Sequence, residues 1–502
     1  MNEQLALLPG YLTAHVQLVV LSLTVCWCIS VPVGVIATRS PNVERVAVAT
    51  ASVLQTVPAL ALLAIMVPLM GAIGAPAIGM VPALLGLTLY TALPILLATI
   101  AGIRGVDRAV VEAARGVGMT DRQLLRRVEL PLALPYIVAG TRTAAVWSVG
   151  MATLSTPIGA ESLGNFIFGG LQTGNHAATL IGCGAAAALA LAIDALVRLV
   201  ARGLNERRSS PLRIGLAGLA ALCLFTGVTL ALGRLRAIES QPLRIGAKSF
   251  TESLVLGHLL AARAEVAGAR AEVVESLGSS VVFDALSRGN LDAYVDYAGT
   301  LHTTVLGRKD HVQDPAALLS SLRAELERRY QVLIVAALGF ENTYCLAVRE
   351  EAAARHGWSN LSSLAPASGT LAMGADYEFF SRPEWASLRT TYGFAFREQR
   401  SMDPTLMYRA LRDGHVDVIS AFSTDGRIAA FRLRVLEDDR RVIPPYQALV
   451  LVHKRLLRER VDVVRAFRAL EGSIDAATMR ELNRQVDELG RTPRSVGRAF
   501  SR

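Results

Sequence analysis

Runs of about 20 apolar residues recur along the first 235 positions of the chain, and the rest mixes charged and apolar residues. The runs predict six transmembrane helices, near residues 16–38, 46–70, 77–103, 133–156, 177–200 and 212–233. From about Gln241 to Arg502 the pattern changes to short strands that alternate with helices: PLRIGAKS, a helix from Phe250 to about Val266, then AEVVESL. We therefore expect an all-α membrane domain followed by a water-soluble α/β domain with two lobes.

The distribution of arginine predicts the orientation of the spans. Arginines cluster in the loops after spans one and three and around the connection between spans five and six: Arg39, Arg45, Arg104, Arg108, Arg115, Arg122, Arg126, Arg127, Arg198, Arg202, Arg207, Arg208 and Arg213. The loops at 71–76 and 157–176 contain no Lys or Arg. Because basic loops stay in the cytoplasm, the N-terminus and the soluble domain are both expected outside. Leu204–Pro211 is interpreted as a linker to one added helix that carries the soluble domain across the membrane.

Composition narrows the possible functions. The net charge of +9 is spread along the 502 residues and is explained by topology, so nucleic-acid binding is not expected. Four of the five cysteines lie in apolar segments and only Cys345 lies in the soluble half, which excludes a disulfide within that half. The sequence contains no phosphate-binding G-x-x-x-x-G-K-[ST] motif and no set of nucleophile, base and orienting residue. We expect a protein that is not an enzyme and holds no cofactor.

The loop between spans three and four carries a specific motif, VEAARGVGMTDRQLLRRVELPLALP. It resembles the EAA loop of ABC importer permeases, and the matching positions are Glu112, Ala113, Ala114, Gly118, Leu130 and Pro131, within residues 112–131. The resemblance implies that this loop docks on a separate cytoplasmic ATPase dimer, which binds ATP and Mg²⁺, and that the permease works as a homodimer. The segments QTVPALALL, GTRTAAV and IGAESLGNFIFGGLQTGN extend the resemblance to permeases for betaine and choline uptake, from which Glu161 departs.

Six segments of the soluble half resemble successive motifs of binding proteins for glycine betaine, choline and related osmoprotectants: IGAKSFTES, LDAYVDYAGT, ENTYCLAV, DYEFFSRP, VDVISAFSTDGRI and IPPYQALVLV. The resemblance implies an aromatic box for a quaternary ammonium group at Tyr297, Tyr344, Phe422 and Tyr446. Such a cation is weakly hydrated and is held by ring faces. For a carboxylate at the other end of the solute, the resemblance implies Lys248, Thr300 and Arg382. Phe422 and Asn342, a further site position, depart from the Tyr and Asp found in family members.

These observations predict three parts: a permease domain at 1–203, a linker with an extra helix at 204–238, and a two-lobed substrate-binding domain at 239–502. The expected function is ATP-driven import of a betaine, carnitine or choline across the bacterial cytoplasmic membrane, with glycine betaine first. Ergothioneine, a trimethylated histidine betaine, is the alternative solute. A sensor with the same external domain is a second class of function, but it would have no use for an EAA loop.

Overall fold

The computed structural model describes residues 2–172, 175–206, 208–239, 242–308, 314–443 and 445–501. The chain divides into two compact units. One comprises residues 1–168 and 177–240, and the other comprises residues 169–176 and 241–502.

The described part of residues 2–239 consists of helices and short connections. The helices are α1 Asn2–Ala37, α2 Pro41–Thr56, α3 Ala59–Ala72, α4 Met80–Arg104, α5 Arg108–Gly116, α6 Asp121–Leu124, α7 Leu130–Thr153, α8 Gly164–Gln172, α9 His176–Asn205 and α10 Ser209–Glu239, with a π-helical turn at Leu125–Glu129 and a 3₁₀ turn at Thr156–Ile158. Within the described part of the chain, four segments are long and apolar enough to cross a membrane: Leu5–Ala37, Met80–Arg104, His176–Asn205 and Ser209–Gly233. They correspond to the first, third, fifth and sixth predicted spans. The predicted linker shrinks to residues 206–208, of which 207 lies outside the described residues.

The second predicted span is wrong as a single helix. Helices α2 and α3 meet at an angle of 106°, and the pair would count as a fifth span only if the two crossed together. The break lies at Val57, which has extended backbone, and at Pro58. Proline has no N–H to donate and disfavours helical geometry in the residue before it, so the apolar run cannot stay straight.

The fourth predicted span, 133–156, corresponds to α7, which falls outside the set of clearly apolar helices because Arg142 and neighbouring threonines interrupt it. Helix α7 nevertheless packs closely on α4. A Cβ atom at Gly140 would lie 2.4 Å from the Cβ of Ala98 and 2.6 Å from the carbonyl oxygen of Pro94. Small residues allow such close approach of membrane helices. Arg142 itself is paired with Asp194 of α9.

The second half alternates strands and helices, as the sequence predicts. Its strands are β1 Leu243–Lys248, β2 Ala271–Leu277, β3 Ala293–Tyr297, β4 Val332–Glu341, β5 Tyr344–Arg349, β6 Ala372–Ala375, β7 Glu398–Ser401, β8 Val418–Phe422, β9 Leu433–Leu436 and β10 Gln447–His453. Its helices are α11 Thr251–Val266, α12 Ser279–Ser287, α13 Ala298–Thr300, α14 Pro315–Tyr330, α15 Glu350–His356, α16 Leu361–Leu364, α17 Pro383–Tyr392, α18 Pro404–Arg412, α19 Arg427–Ala430, α20 Lys454–Glu459, α21 Val461–Arg468, α22 Ala476–Asp487 and α23 Pro493–Phe500. Shorter turns are π-helical at Leu301–Val305 and 3₁₀ at Ala365–Thr370 and Phe379–Ser381.

Two five-stranded sheets define two lobes. Lobe A, residues 242–308, 314–341 and 447–501, is built on the order β2-β1-β3-β10-β4, and lobe B, residues 344–436, on the order β7-β6-β8-β5-β9. In lobe A, β1 is parallel to β2 and β3, and in lobe B, β6 is parallel to β7 and β8. The chain crosses between the lobes at residues 342–343 and 437–446. The structure confirms the predicted fold class, helical domain first and two-sheet α/β domain second.

This topology gathers the predicted site residues. Lys248 ends β1, Tyr297 ends β3 and Phe422 ends β8, while Tyr344 and Tyr446 stand next to the crossings. Ligands of open α/β sheets bind beyond the carboxyl ends of the parallel strands, and two connected lobes can close over them. The cleft between lobes A and B is therefore the candidate ligand-binding site.

Candidate functional site

Three of the four aromatic residues predicted for the box form one cluster. Tyr344 pairs directly with Phe422 across β5 and β8, with ring centroids 4.9 Å apart. The ring of Tyr446 meets that of Tyr344 edge-on at 6.0 Å, and Phe379, which the sequence did not single out, lies 5.2 Å from it on another side. Cross-strand pairing in lobe B and the return crossing thus place three rings around Tyr344.

The fourth predicted ring, Tyr297, lies in lobe A. Its nearest ring is Phe250, at 6.2 Å, and its hydroxyl donates to Glu252 at 2.5 Å. Glu252 also accepts a hydrogen bond from Asn342 Nδ2 at 2.9 Å, and the backbone N–H of Asn342 donates to the carbonyl of Tyr446 at 3.0 Å. Tyr297 is therefore connected to the Tyr344 cluster through one carboxylate and one crossing residue.

Arg382 lies over the cluster. Its Cζ is 5.2 Å from the centroid of the Tyr344 ring, and Nη2 donates to the hydroxyl of Tyr446 at 3.0 Å. Its Nε and Nη2 also pair with the buried carboxylate of Glu384, at 3.3 and 3.2 Å. Burial opposes ionisation of Glu384, but the charge of Arg382 and the hydrogen bonds from Tyr446 and Arg382 hold the pKa of this carboxyl below its ordinary value.

Glu252 is a second buried carboxylate of the cleft. It begins α11 in lobe A and accepts hydrogen bonds from Tyr297, Asn342 and Asn483 Nδ2, the last at 3.2 Å. Asn483 also donates to the backbone of Thr424 in lobe B at 3.0 Å. Burial raises the pKa of Glu252 despite these donors. The carboxylate thus connects both lobes and the first crossing.

The remaining predicted residues have different surroundings. Lys248 is buried, and its ammonium pairs with Asp296 and lies 5.7 Å from the centroid of the Tyr297 ring. Thr300 is half-buried at the end of α13. Beside it, Gly299 is required by close packing, because a Cβ there would lie 2.5 Å from Cζ of Tyr446. A role of Lys248 and Thr300 toward the solute stays a prediction.

A cavity of about 380 Å³ lies along the two crossings. Its lining includes Tyr344 but none of the other predicted site residues. We therefore assign the cavity to the two crossings, which act as the hinge between the lobes, rather than to the solute. Among the described residues, no group of three or more His, Cys, Asp or Glu side chains could hold a metal ion. The cleft therefore offers rings, one guanidinium and buried carboxylates.

The EAA loop folds into two short helices with a sharp turn. Glu112, Ala113 and Ala114 lie in α5, where only Ala114 is buried, and Gly118 adopts a φ of +82°, which favours glycine. A capping box between Thr120 and Gln123 starts α6.

At the far end of the loop, Leu130 and Pro131 start α7, and Glu129 is buried and paired with Arg39 at the end of α1. Val117, at the turn between α5 and α6, is 76% exposed. The helices on either side of the turn are thus stabilised by a capping box and by an ion pair, and the turn exposes an apolar side chain to solvent.

Sequence reasoning missed five residues that shape the cleft: Glu252, Gly299, Asp376, Phe379 and Glu384. The first four lie in the matched motifs IGAKSFTES, LDAYVDYAGT and DYEFFSRP, and Glu384 directly follows the last of these. Acidic residues inside these motifs were the available signal.

Two protein families match the chain. Residues 30–208 match the binding-protein-dependent transport system inner membrane component, and residues 241–502 match the substrate binding domain of ABC-type glycine betaine transport system. The ergothioneine transport permease/ergothioneine binding protein EgtU of Helicobacter pylori (strain G27) is 31% identical over 481 residues, which are 93% of this chain and 85% of that protein.

Other relatives match one half of the chain. The carnitine transport permease protein OpuCB of Listeria monocytogenes is 43% identical over 183 residues, 36% of this chain and 79% of that protein. The crystal structure of a glycine betaine/carnitine/choline ABC transporter is 31% identical, covers 51% of this chain and 97% of that chain, and has a TM-score of 0.47. These relatives are transporter components and not enzymes. The predicted family is confirmed: the chain belongs to the ABC importers of the glycine betaine type and joins an inner-membrane permease and a substrate-binding domain in one polypeptide.

Proposed function

We propose that this importer carries a small trimethylammonium zwitterion, with glycine betaine and carnitine as first candidates. The observation that carries the proposal is the position of Arg382, whose guanidinium lies 5.2 Å from the centre of the Tyr344 ring between Tyr446 and Glu384. A ring that accepts one cation on its face can accept another, because the attraction comes from the ring quadrupole. A trimethylammonium group would gain roughly 0.5–2 kcal/mol from each ring face it meets.

The same arginine is suited to the opposite end of the solute. Its Nε and Nη2 are occupied by Glu384, whereas the nearest carboxylate to Nη1 is that of the exposed Glu378, 3.5 Å away. Glu384 thus fixes the guanidinium plane, and Nη1 is the group that we expect to donate to a solute carboxylate. Lys248 and Thr300 are weaker candidates for this task, since Lys248 already has Asp296 as its partner.

Membership of the ABC importer family implies how transport is driven. An ABC importer requires an ATPase partner, and we propose that the exposed turn around Val117 and Gly118 docks on an ATPase dimer that holds ATP and Mg²⁺. We further propose that two copies of this chain form the pathway and that the binding domain faces away from the cytoplasm, as the arginine distribution predicts. Closure of lobes A and B on the solute would precede its release into the pathway.

Ergothioneine is a second candidate solute, because one relative that matches nearly the whole chain is the ergothioneine permease and binding protein EgtU. It shares the trimethylammonium group and the carboxylate with glycine betaine and adds a thione ring. The same aromatic cluster and the same arginine would hold the shared groups.

The test is calorimetric titration of the full-length chain in nanodiscs with glycine betaine, carnitine, choline and ergothioneine. At least one of the zwitterions should bind, and Tyr344→Leu should abolish that binding. Val266→Leu, at a position of lobe A that is 78% exposed, is the matched control and should change nothing. Absence of binding by all four compounds would falsify the solute assignment.

A further inference from the structure

The cleft contains buried hydrogen-bond acceptors that no protein donor reaches. Within the described part of the chain, Asp376 Oδ2 and Asn342 Oδ1 are buried and have no hydrogen-bond partner. The two residues are only 6% and 7% exposed. Buried polar atoms of folded proteins almost always have partners, so such atoms need an explanation.

The backbone fixes the carboxylate of Asp376. Asp376 follows the carboxyl end of β6, and its Oδ1 accepts from the backbone N–H of Glu378 at 2.8 Å and of Phe379 at 3.0 Å. Since the Phe379 ring lies 5.2 Å from that of Tyr344, the carboxylate stands at the edge of the aromatic cluster. The negative charge of Asp376 is also the largest contribution after burial to the raised pKa of Tyr344. Oδ2 of Asp376 is thus an acceptor without a hydrogen-bond partner at the edge of this cluster.

The orientation of the Asn342 amide is likewise determined. Its Nδ2 donates to Glu252 at 2.9 Å, and turning the amide over would place an oxygen against that carboxylate. Oδ1 must therefore face away from Glu252, at the crossing that carries Tyr344 two residues later. Asp376 Oδ2 thus lies at the edge of the Tyr344 cluster and Asn342 Oδ1 at the first crossing, and both atoms accept hydrogen bonds.

We propose that the cleft selects trimethylammonium solutes that also carry an N–H or O–H donor, with Asp376 Oδ2 as its principal acceptor and Asn342 Oδ1 as a second. This inference rests on the proposed function and deepens it. Glycine betaine has no donor at all, whereas carnitine has a hydroxyl and ergothioneine has ring N–H groups. A site with buried acceptors discriminates strongly against a ligand that leaves them unpaired. Glycine betaine is therefore the poorest fit among the zwitterions considered.

The experiment compares solutes that differ in one donor. Carnitine and γ-butyrobetaine differ only in one hydroxyl, and both are titrated into the full-length chain in nanodiscs beside ergothioneine and glycine betaine. We expect the donor-bearing solutes to bind at least ten-fold more tightly than the donor-free ones. If Asp376 only balanced the ammonium charge, carnitine and γ-butyrobetaine would bind equally, and that result would overturn the proposal while leaving the proposed function intact.

Asp376→Asn provides the matched variant. An asparagine oxygen can still accept from the N–H groups of Glu378 and Phe379, so the turn is kept, but Oδ2 is replaced by a donor. Binding of whichever donor-bearing solute the wild type prefers should weaken at least ten-fold, and the affinity for glycine betaine should change less than three-fold. An unchanged preference in the variant would overturn the role of Asp376. Binding of none of the four solutes to the wild type would instead overturn the proposed function and this inference with it.

Discussion

The two cationic side chains predicted to meet a carboxylate, Lys248 and Arg382, lie in contrasting regions. Lys248 is paired with Asp296 inside lobe A, where Asp296 also accepts from Tyr294 at 2.6 Å and from the backbone of Tyr297 at 2.8 Å. Arg382 belongs to lobe B and contacts Tyr446 of the return crossing.

The two cations differ in whether their contacts can change when the lobes move. All partners of Asp296 belong to lobe A, so this ion pair cannot be exchanged for a solute without disrupting the lobe. The partners of Arg382 lie in different parts of the domain: Glu384 in lobe B, Tyr446 in the return crossing and Thr303 of lobe A at 3.5 Å. Its contacts can therefore change as the lobes open and close. The charge of Lys248 therefore stabilises lobe A, whereas the guanidinium of Arg382 is available to a ligand.

Among the substitutions that test this comparison, Lys248→Met should have the largest effect, and the effect is on stability. This substitution leaves Asp296 buried without its cation and should lower the free energy of unfolding by about 3–5 kcal/mol. Urea unfolding of the full-length chain, followed by tryptophan fluorescence, measures it. The double variant Lys248→Met/Asp296→Asn removes both charges and should recover much of the loss. A single variant that keeps its unfolding midpoint but loses solute binding would make Lys248 a ligand group instead.

Asp487 is a partly buried carboxylate that sharpens the comparison, because Arg427, the arginine that acts on its charge, is already paired. Arg427 binds Asp425 through two hydrogen bonds, at 2.6 and 2.9 Å, and burial raises the pKa of Asp487 from 3.8 to about 7. The folded state therefore holds a proton that the unfolded state has lost between about pH 4 and pH 7. Stability should fall as pH rises through this window, by at most about 1.4 kcal/mol per pH unit.

Asp487→Asn tests this expectation. Asparagine can still accept the hydrogen bond that Thr251 donates to Asp487 at 2.6 Å. The variant should show a flatter dependence of the urea midpoint on pH, and its advantage over the wild type should be larger at pH 8 than at pH 5. Parallel pH profiles for the two proteins would contradict the assigned pKa.

For Arg382→Ala we expect a loss of binding together with a loss of stability, because Glu384 is left buried without its cation. Removing a charge-assisted hydrogen bond to a carboxylate should weaken carnitine binding roughly 100-fold, about 2.7 kcal/mol. Choline, which has no carboxylate, should be affected less than carnitine. Arg382→Lys is the control, since it keeps the charge but not the fork that Glu384 holds. Equal losses for choline and carnitine would assign Arg382 to the architecture of the cleft.

The smallest effect is expected for Gly299→Ala. The added methyl group would lie 2.5 Å from Cζ of Tyr446, so the ring must shift away from its place beside Tyr344. Overpacking of this size typically costs about 1–3 kcal/mol, and we expect solute affinity to fall about ten-fold. Gly369→Ala is the matched control, because neither glycine has a positive φ and the nearest atom to an added Cβ at Gly369 lies 3.8 Å away. Unchanged affinity in Gly299→Ala would show that Tyr446 is not held by this contact.

Much of the fold could be predicted because its signals are local. Apolar length gave four spans, and strand and helix alternation gave the α/β domain, including a helix that begins after Phe250. The bend at Val57–Pro58 shows the limit of this reasoning, since hydropathy averages over a proline that breaks the helix. Of the site, the motifs identified Tyr344, Phe422, Tyr446 and Arg382, which the structure brings together.

The sequence by itself determined the family, the two-part architecture and the aromatic chemistry of the cleft, because each depends on residue type and spacing within short segments. Only the tertiary structure decided which charges are already paired. Arg382, Lys248 and Tyr297 already bind Glu384, Asp296 and Glu252, and these pairs cannot be inferred from positions along the sequence. The unpaired oxygens of Asp376 and Asn342 depend in the same way on how two lobes and their crossings meet, and pairing across a cleft is a property of packing rather than of any one segment.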